Sequence, residues 1–494
     1  MRHLHDPRDA AQWLAGRVSG RIHCDSRRVA PGDGFIAWPG AATDGRRHVG
    51  AALAQGAAAC LVEEDGIEPF GFEPSDALAC LRGLKAATGP VASAYFDEPS
   101  RRVDVLAVTG TNGKTSTTWW LAQAWQAARG EGCGLVGTLG IGRPPQVQPT
   151  GLTTPDPVLL QEWFRRFADE GLTACAIEAS SIGISERRLD GTRVRVAVFT
   201  NFTQDHLDYH GTLEAYWQAK AELFRWPGLQ AAVVNLDDAR GEQLAHELRD
   251  GSADLWTYSC EREARLRATG ITHGDEGLAF TVCEGAERST LRTGLIGQYN
   301  VANLLAVIGT LRACGVPLAR AVAGCQSLLP VPGRMERLQA PGLPLVAVDY
   351  AHTPDALAQA LQALRPLAAR RSGRLWCVFG CGGDRDTTKR PLMAAMAERH
   401  ADRVVVTSDN PRSEKPETII SQILLGLSRS ESVEVQADRA RAIAEAIERA
   451  APEDVVLLAG KGHEDYQEVQ GVRHPFDDRV HAGQALARRM ERSE

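Results

Sequence analysis

The chain has 494 residues, of which 44% are hydrophobic and 24% charged. That balance is ordinary for a folded globular protein and excludes a disordered, collagenous or disulfide-scaffold chain. At ~150 residues per domain it suggests about three domains. The net charge of −7 and a pI near 6.0 argue against a general nucleic-acid binder, so any anionic ligand must be met by local positive sites. The eleven cysteines are scattered singly from Cys24 to Cys381 with no CxxC pair, which argues against a zinc site or a disulfide framework. Met1 to Trp13 lacks the apolar core of a signal peptide, and no run approaches the ~18 apolar residues of a membrane span. A cytoplasmic protein with no membrane partner is the expectation. Lysine is rare: only Lys85, Lys114, Lys220, Lys389, Lys415 and Lys461 occur.

In chain order, residues 1–98 mix short strand-like runs, at 34–38 and 59–62, with Ala-rich helical runs. The Asp97-Glu98-Pro99-Ser100 turn closes this unit. The apolar run 103–108 reads as a buried strand, and a helix is predicted over 116–128. Further strands fit 174–177, 194–199 and 231–234. A second break falls at Leu329-Pro330-Val331-Pro332-Gly333. Beyond it, buried strands are predicted at 345–348, 375–379, 404–407 and 455–458. Strands alternating with helices give an α/β protein. Three domains result, 1–98, 99–332 and 333–494, the central one carrying a P-loop-type, doubly wound parallel sheet.

Gly110-Thr111-Asn112-Gly113-Lys114-Thr115-Ser116 lies between a strand and a helix. Glycines let backbone N–H groups approach phosphate oxygens, and the helix N-terminus adds positive potential. Lys114 can reach the outer phosphates of ATP, and the Thr115 hydroxyl can ligate Mg²⁺. The full GxxxxGK[ST] pattern is not met, because Val108 stands where its first Gly belongs. The alternative is a plain glycine turn.

A helix is predicted from Thr212, a candidate N-cap, with Glu214 in its first turn. Leu213, Trp217, Lys220 and Phe224 then share one face. Lys220 either snorkels from the edge of that apolar stripe or is desolvated, with its pKa pushed down. A neutral amine can take up CO₂ and become a carbamate, an anionic oxygen ligand for Mg²⁺; arginine cannot. Glu178, at a predicted strand end, and His206 are natural partners for a metal near the phosphate loop. Taken singly, each is more often a structural polar group than a ligand.

These motifs, with Thr153-Thr154-Pro155, Glu178-Ala-Ser-Ser181, Thr200-Asn201, Asp205-His206-Leu-Asp208, Gly297-Gln-Tyr-Asn300-Val-Ala-Asn303, Gly333-Arg334-Met-Glu336 and Asp349-Tyr-Ala-His352-Thr-Pro-Asp355, occur in this order. The set resembles the Mur ligases of peptidoglycan precursor synthesis, and the likeness runs from Asp25-Ser26-Arg27 to Gly460-Lys-Gly-His-Glu464. The resemblance implies an N-terminal domain for a UDP-sugar, a central ATPase, and a C-terminal Rossmann-like domain for the incoming amino acid. It implies that Lys220 is carbamylated and that Glu178 and His206 are magnesium-linked. Asn300, Asn303, Arg334 and Asp349 would hold the nucleotide. Ser26, Thr153, Thr154, Ser180, Glu186 and Arg188 would meet the UDP-sugar peptide.

In the last domain, Arg385, Asp409-Asn410-Pro411-Arg412, Gly460 and Glu464 fall near predicted strand ends. The DNPR stretch resembles that of members that add meso-diaminopimelate. Arg412 can grip its distal carboxylate through two parallel hydrogen bonds, and Glu464 can receive its distal ammonium. A surface salt bridge is the alternative reading of Arg412. The implied reaction joins meso-diaminopimelate to UDP-N-acetylmuramoyl-L-alanyl-D-glutamate through an acyl phosphate, with ATP as co-substrate and a monomer as the working unit. His352 and His463 are weak candidates for the base that deprotonates the amine. Departures from the family pattern stand at Ile182, Glu186 and Ala41-Ala42-Thr43. The rivals are the same ligase acting on L-lysine, a folylpolyglutamate synthetase, and a P-loop regulatory ATPase.

Overall fold

The computed structural model describes residues 1–40, 43–274, 277–429 and 433–492; Ala41 and Ala42, part of one departure above, lie outside them. Three separate sheets organise the chain. The first has five parallel strands in the order Arg2–His3, Leu78–Leu81, Ala59–Glu63, Gly34–Ala37, Ile22–His23. The two-residue outer strands are too short to leave a periodic signal in the sequence.

The second sheet has eleven strands. Its centre is parallel: Asp104–Thr109 lies between Ala174–Glu178 and Val194–Phe199, with Cys133–Gly137 on one side and Ala231–Asn235 and Asp254–Ser259 on the other. Alternation along Asp104–Thr109 explains its two coats. Leu106 and Val108 enter the core shared with the helices Lys114–Arg129 and Tyr299–Ala313, whereas Val105 and Ala107 enter the core under Pro157–Asp169. The expected parallel sheet needs one correction. Both margins are antiparallel: Leu266–Gly274, Gly277–Glu284 and Glu287–Thr293 at one end, Gly140–Arg143 and Gln146–Gln148 at the other. Gly285-Ala286 and Pro144-Pro145 join neighbouring strands of these margins, connections long enough for hairpins but not for a crossover helix.

The third sheet runs Glu336–Leu338, Leu345–Asp349, Val455–Ala459, Leu375–Phe379, Arg403–Val406, Val433–Val435, parallel except for its first strand. It too is coated on both faces, by Pro354–Arg370 and Lys389–His400 on one and by Arg439–Arg449 and Asp478–Glu491 on the other. At the join before it, Gly333 has φ +65°, and a Cβ there would stand 2.1 Å from the His463 backbone nitrogen. Only glycine lets the linker lie against the loop that follows Val455–Ala459.

One buried ion pair locks the last two helices to that sheet. Arg439 donates from Nε to Asp478 Oδ1 at 2.8 Å and from Nη2 to Asp478 Oδ2 at 2.6 Å, and Nη2 also reaches the Ala459 carbonyl at 2.9 Å. Both side chains are fully buried. Removing one partner strands the other charge, so Asp478→Ala is expected to cost about 3–5 kcal/mol. Denaturant midpoints of the variant and parent measure this, and a loss below about 1 kcal/mol would contradict the assignment.

Candidate active site

The carboxyl ends of three central strands converge, since Val108 pairs with Glu178 and Thr109 with Phe199. Ligands of open α/β sheets gather at such ends. The 110–115 loop follows directly. Gly110 has φ +147°, and a Cβ there would collide with Thr200 Oγ1 at 1.9 Å. Gly113 has φ +84° and presses on Asn303 Oδ1. The helix Lys114–Arg129 starts behind Gly113 with no side-chain cap, so its first N–H groups are open to an anion.

Around this loop lies a cleft of about 190 Å³. Among its walls are Thr111–Ser116, Thr153, Glu178, Ser180, His206, Lys220, Asn300, Asn303, Arg334 and Asp349. The sequence-predicted phosphate, metal and nucleotide residues are therefore largely brought together. Thr115 Oγ1 donates to Glu178 Oε2 at 3.0 Å and accepts from Arg334 Nη2 at 3.1 Å. Glu178 also accepts from the Thr138 backbone N–H at 2.8 Å and from Thr138 Oγ1 at 3.2 Å. Asn303 donates to Asn300 at 3.0 Å, and Asp349 accepts the Met335 and Ala351 N–H groups, both at 2.8 Å.

Lys220 is buried as expected, in the helix Leu213–Ala221 capped by Thr212, whose side chain accepts the Ala215 N–H. Its amine donates to the Gly110 carbonyl at 2.7 Å and sits 4.4 Å from the Tyr216 ring centroid. Among the described residues it has no carboxylate partner. Burial, and then the charge of Lys114, push its pKa well below the usual lysine value, against the pull of Asp205. Lys114 donates to the same Gly110 carbonyl at 2.9 Å and to Thr111 O at 2.8 Å. Its pKa is also lowered by burial, opposed by Glu178 and Asp205.

The predicted stripe needs correction at its first residue: Leu213 is 43% exposed, because the first turn overhangs the core, whereas Phe224, in the 3₁₀ turn Glu222–Arg225 that follows the helix, is buried in one core with Trp217. Tyr216 takes the place beside Lys220, its hydroxyl 3.1 Å from Thr111 Oγ1.

His206 holds a left-handed backbone at φ +51°, a strain typical of functional positions. Burial lowers its pKa and outweighs Asp205, with Lys114 and Lys220 adding to the drop. The Glu178 carboxylate and the Thr115 hydroxyl are oxygen donors that fit a hard cation, with the His206 imidazole a softer nitrogen donor beside them. Asp205 itself is held below the usual carboxylate range: burial opposes this, but His206, His352 and Lys389 outweigh it.

The sugar-peptide candidates divide. Thr153 and Ser180 line the cleft; Ser26, Thr154, Glu186 and Arg188 do not. Thr154 Oγ1 donates to the Glu178 carbonyl at 2.7 Å, and Arg188 donates to Thr154 O at 3.0 Å, so both brace the cleft wall. Ser26 sits in a 3₁₀ turn, Ser26–Arg28, of the first unit. Glu186 pairs with Lys85 at 2.8 Å and accepts from the Tyr209 hydroxyl.

The amino-acid candidates form a neighbouring patch. Asn410 donates to Glu464 at 2.7 Å, and Lys461 donates to both Asn410 Oδ1 at 3.0 Å and Glu464 at 3.2 Å. Burial, then the charge of Asp409, raise the Glu464 pKa. A Cβ on Gly460 would stand 2.5 Å from Asp409 Oδ2. Arg385 and Pro411 flank Arg412, whose Nη1 donates to the Gly383 carbonyl at 2.7 Å. Among the described residues Arg412 forms no ion pair, so the salt-bridge alternative does not hold.

Asp205, Tyr350, Thr138 and Lys461 were not picked out as site residues. Asp205, Tyr350 and Lys461 stood inside the motifs; Thr138 joins the site only through tertiary contacts.

His352 is lowered to about 4 and His463 to about 3, by burial first and then by nearby cations, chiefly Lys389 for His352 and Arg334 for His463. General-base catalysis favours a pKa near the working pH, so neither is matched to that task. His463 Nδ1 is also buried without a partner. An unfolded histidine titrates near 6.5, so the unfolded state binds more protons between about pH 6.5 and 3. Stability is expected to fall as pH drops through that window. Thermal melts of His463→Gln should show a shallower loss of Tm between pH 7 and 5; a slope equal to the parent's would contradict the burial assigned here.

Comparison with known proteins agrees with this geometry. Three family models match: "Mur ligase family, catalytic domain" over residues 20–91, "Mur ligase middle domain" over 108–311, and "Mur ligase, glutamate ligase domain" over 333–462. The chain is 63% identical over 487 residues, 97% of each chain, to a UDP-N-acetylmuramoyl-L-alanyl-D-glutamate--2,6-diaminopimelate ligase of Acidovorax sp. (strain JS42). It is 49% identical over 465 residues, 94% of each chain, to the enzyme of that name from Pseudomonas aeruginosa. A solved structure of a ligase of that name superposes with a TM-score of 0.66 at 36% identity, over 95% of both chains. MurF of Thermotoga maritima in complex with ADP shares the fold, with a TM-score of 0.66 at 18% identity over 97% of this chain and 99% of that one.

Proposed function

Because the chain belongs to the Mur ligase family, we propose that it joins meso-diaminopimelate to UDP-N-acetylmuramoyl-L-alanyl-D-glutamate at the expense of ATP. The observation that carries this reading is the shared cleft of the phosphate loop, Lys220 and Arg334, beside a patch whose Arg412 lacks an anionic partner. The domains divide as 1–98 for the UDP-sugar, 99–332 for ATP and 333–494 for the amino acid. All these residues come from one chain, so a monomer suffices. The substrates place the reaction in the cytoplasm, and among the described residues no helix is long and apolar enough to cross a membrane.

Gly110–Ser116 cradles the ATP phosphates, and Lys114 turns from the Gly110 and Thr111 carbonyls to the outer phosphates. Asn300, Asn303, Arg334 and Asp349 border the nucleotide. The D-glutamate carboxylate attacks the γ-phosphorus, the bond to the β-phosphate oxygen breaks, and ADP leaves. Lys114 and Arg334 meet charge as it spreads over the transferring oxygens. Mg²⁺ held by Thr115, Glu178, His206 and carbamylated Lys220 would supply further charge neutralisation there. The carbamate forms when the neutral amine takes up CO₂ and releases a proton, which turns a neutral group into an anion. The free amine of diaminopimelate then attacks the acyl phosphate carbonyl. The C–N bond forms, phosphate departs, and the amine loses its proton.

Ser26, Thr153, Thr154, Ser180, Glu186 and Arg188 hold or brace the sugar-peptide side. At about 190 Å³ the cleft is smaller than the ~300–1,000 Å³ of ordinary small-molecule sites. Two substrates therefore enter only if the C-terminal domain moves away and recloses. L-lysine lacks the distal carboxylate and would leave Arg412 unpaired, a penalty that can reach ~10⁴-fold in specificity.

Phosphate release from ATP with the nucleotide dipeptide tests the reading. Release with meso-diaminopimelate, at least a hundredfold above that with L-lysine, is expected. Equal release with lysine would discard the role of Arg412, and turnover without any amine would favour a regulatory ATPase.

A further inference from the structure

Two of the three loops that carry the amino-acid candidates bear Arg385 and Arg412: 380–388, after Leu375–Phe379, and 407–415, after Arg403–Val406. Both contain a non-glycine residue in the left-handed region, Asp384 at φ +52° and Arg412 at φ +50°. Such conformations persist only where their surroundings over-determine them. The Arg412 backbone pairs with a neighbouring strand, its N–H donating to the Glu468 carbonyl at 2.9 Å and its carbonyl accepting the Gln470 N–H at 2.7 Å, while the loop that its guanidinium touches is held by a buried side chain to which the sequence analysis gave no role.

Arg390, in the first turn of Lys389–His400, is 0% exposed. It donates to both Glu414 oxygens, Nη2 to Oε1 at 2.7 Å and Nη1 to Oε2 at 2.9 Å. Nη1 also reaches Gln422 Oε1 at 2.6 Å, and Nη2 the Gly382 carbonyl at 3.0 Å. Glu414 in turn accepts the Asp384 N–H at 2.7 Å. Asp384 closes the circuit by accepting Ser413 Oγ at 2.6 Å and the Ser413 N–H at 3.1 Å. Gly383 donates to the Asn410 carbonyl at 2.9 Å. The two loops are thus stitched on both sides of Arg412. Its guanidinium lies across the tied segment: Nη1 donates to Gly383 O, and a Cβ on Gly382 would stand 2.9 Å from that same nitrogen.

We infer that the Arg390–Glu414 pair sets the aim of the Arg412 guanidinium, and so acts as a positioning device for choice among diamino acids. The inference rests on the reading of Arg412 given above. Its logic is geometric. A bidentate grip on a carboxylate needs both guanidinium nitrogens in one plane at a fixed place. Among the described residues the Arg412 guanidinium has only the Gly383 carbonyl to steady it, so its aim follows the Gly382–Asp384 backbone. That backbone is fixed by the planar fork of Arg390, which a lysine ammonium could not reproduce. Loosening the pair spares the nucleotide cleft, whose walls include neither Arg390 nor Glu414.

The test is steady-state kinetics with all three substrates on Glu414→Gln, which keeps size and an acceptor for Asp384 but removes the charge. The expected result is a rise of about tenfold or more in KM for meso-diaminopimelate. KM for ATP should stay within about twofold, kcat should change little, and the preference over L-lysine should narrow. Ser413→Ala, an exposed change that keeps the ion pair, should move the same KM about two- to threefold and supplies the readout if Glu414→Gln does not fold. An unchanged KM for meso-diaminopimelate, or equal losses on all three substrates, would overturn the inference. A parent enzyme that does not use meso-diaminopimelate would instead overturn the proposed function, and that assay precedes the variants.

Discussion

The carbonyl of Gly110 accepts hydrogen bonds from two lysines, Lys114 and Lys220, and the site is organised around that shared oxygen. Two amines on one oxygen stand within about 6 Å of each other, where two unit charges repel by about 3 kcal/mol at an effective dielectric of 20. Both are buried, which penalises the charges further. Lys114 can move out to phosphate and has Glu178 and Asp205 to favour its charge. Lys220 is fixed by Trp217 and Tyr216 in the core, and it is the one pushed furthest from the cationic state. An immobile amine pushed away from its cationic state beside this loop differs from an arginine, which stays charged.

The same constraint shapes the surroundings. The strand ends bring Glu178 to Thr115, and the C-terminal domain closes over them with Arg334, whose guanidinium stacks 4.4 Å from the Tyr350 ring centroid. Asn112 reaches Asp355 across the same boundary at 3.2 Å. Tyr350 lines the nucleotide cleft and packs against His463, whose loop carries Glu464. Phosphate chemistry and amine delivery are therefore adjacent by construction. The loops around Arg412 show the same economy: the Arg390–Glu414 pair ties down Gly382 and Asp384, and the backbone of Glu468 and Gln470 holds Arg412.

Much of this was legible in the sequence because it is local. The apolar run ending in Gly110-Thr111-Asn112-Gly113-Lys114-Thr115 marks a strand, a glycine turn and a helix, and all three are present. Thr212 caps the helix it was expected to cap, and Trp217 and Lys220 share its buried side. Periodicity failed where packing decides: Leu213 overhangs the core, and Tyr216, on no predicted stripe, supports Lys220. The antiparallel margins were missed because pairing of neighbouring segments leaves no signature in strand composition. Asp205, Tyr350 and the Arg390–Glu414 pair owe their roles to partners far away in the chain, and no spacing rule reports those.

The account stands or falls on the state of Lys220. The direct measurement is carbon-13 NMR of the parent protein equilibrated with carbon-13 bicarbonate, beside Lys220→Arg under the same conditions. A carbamate carbon signal in the parent, absent from the variant and from protein held free of CO₂, is the predicted result. Identical spectra from the two proteins would contradict it and leave Lys220 as a buried cation with a purely structural part.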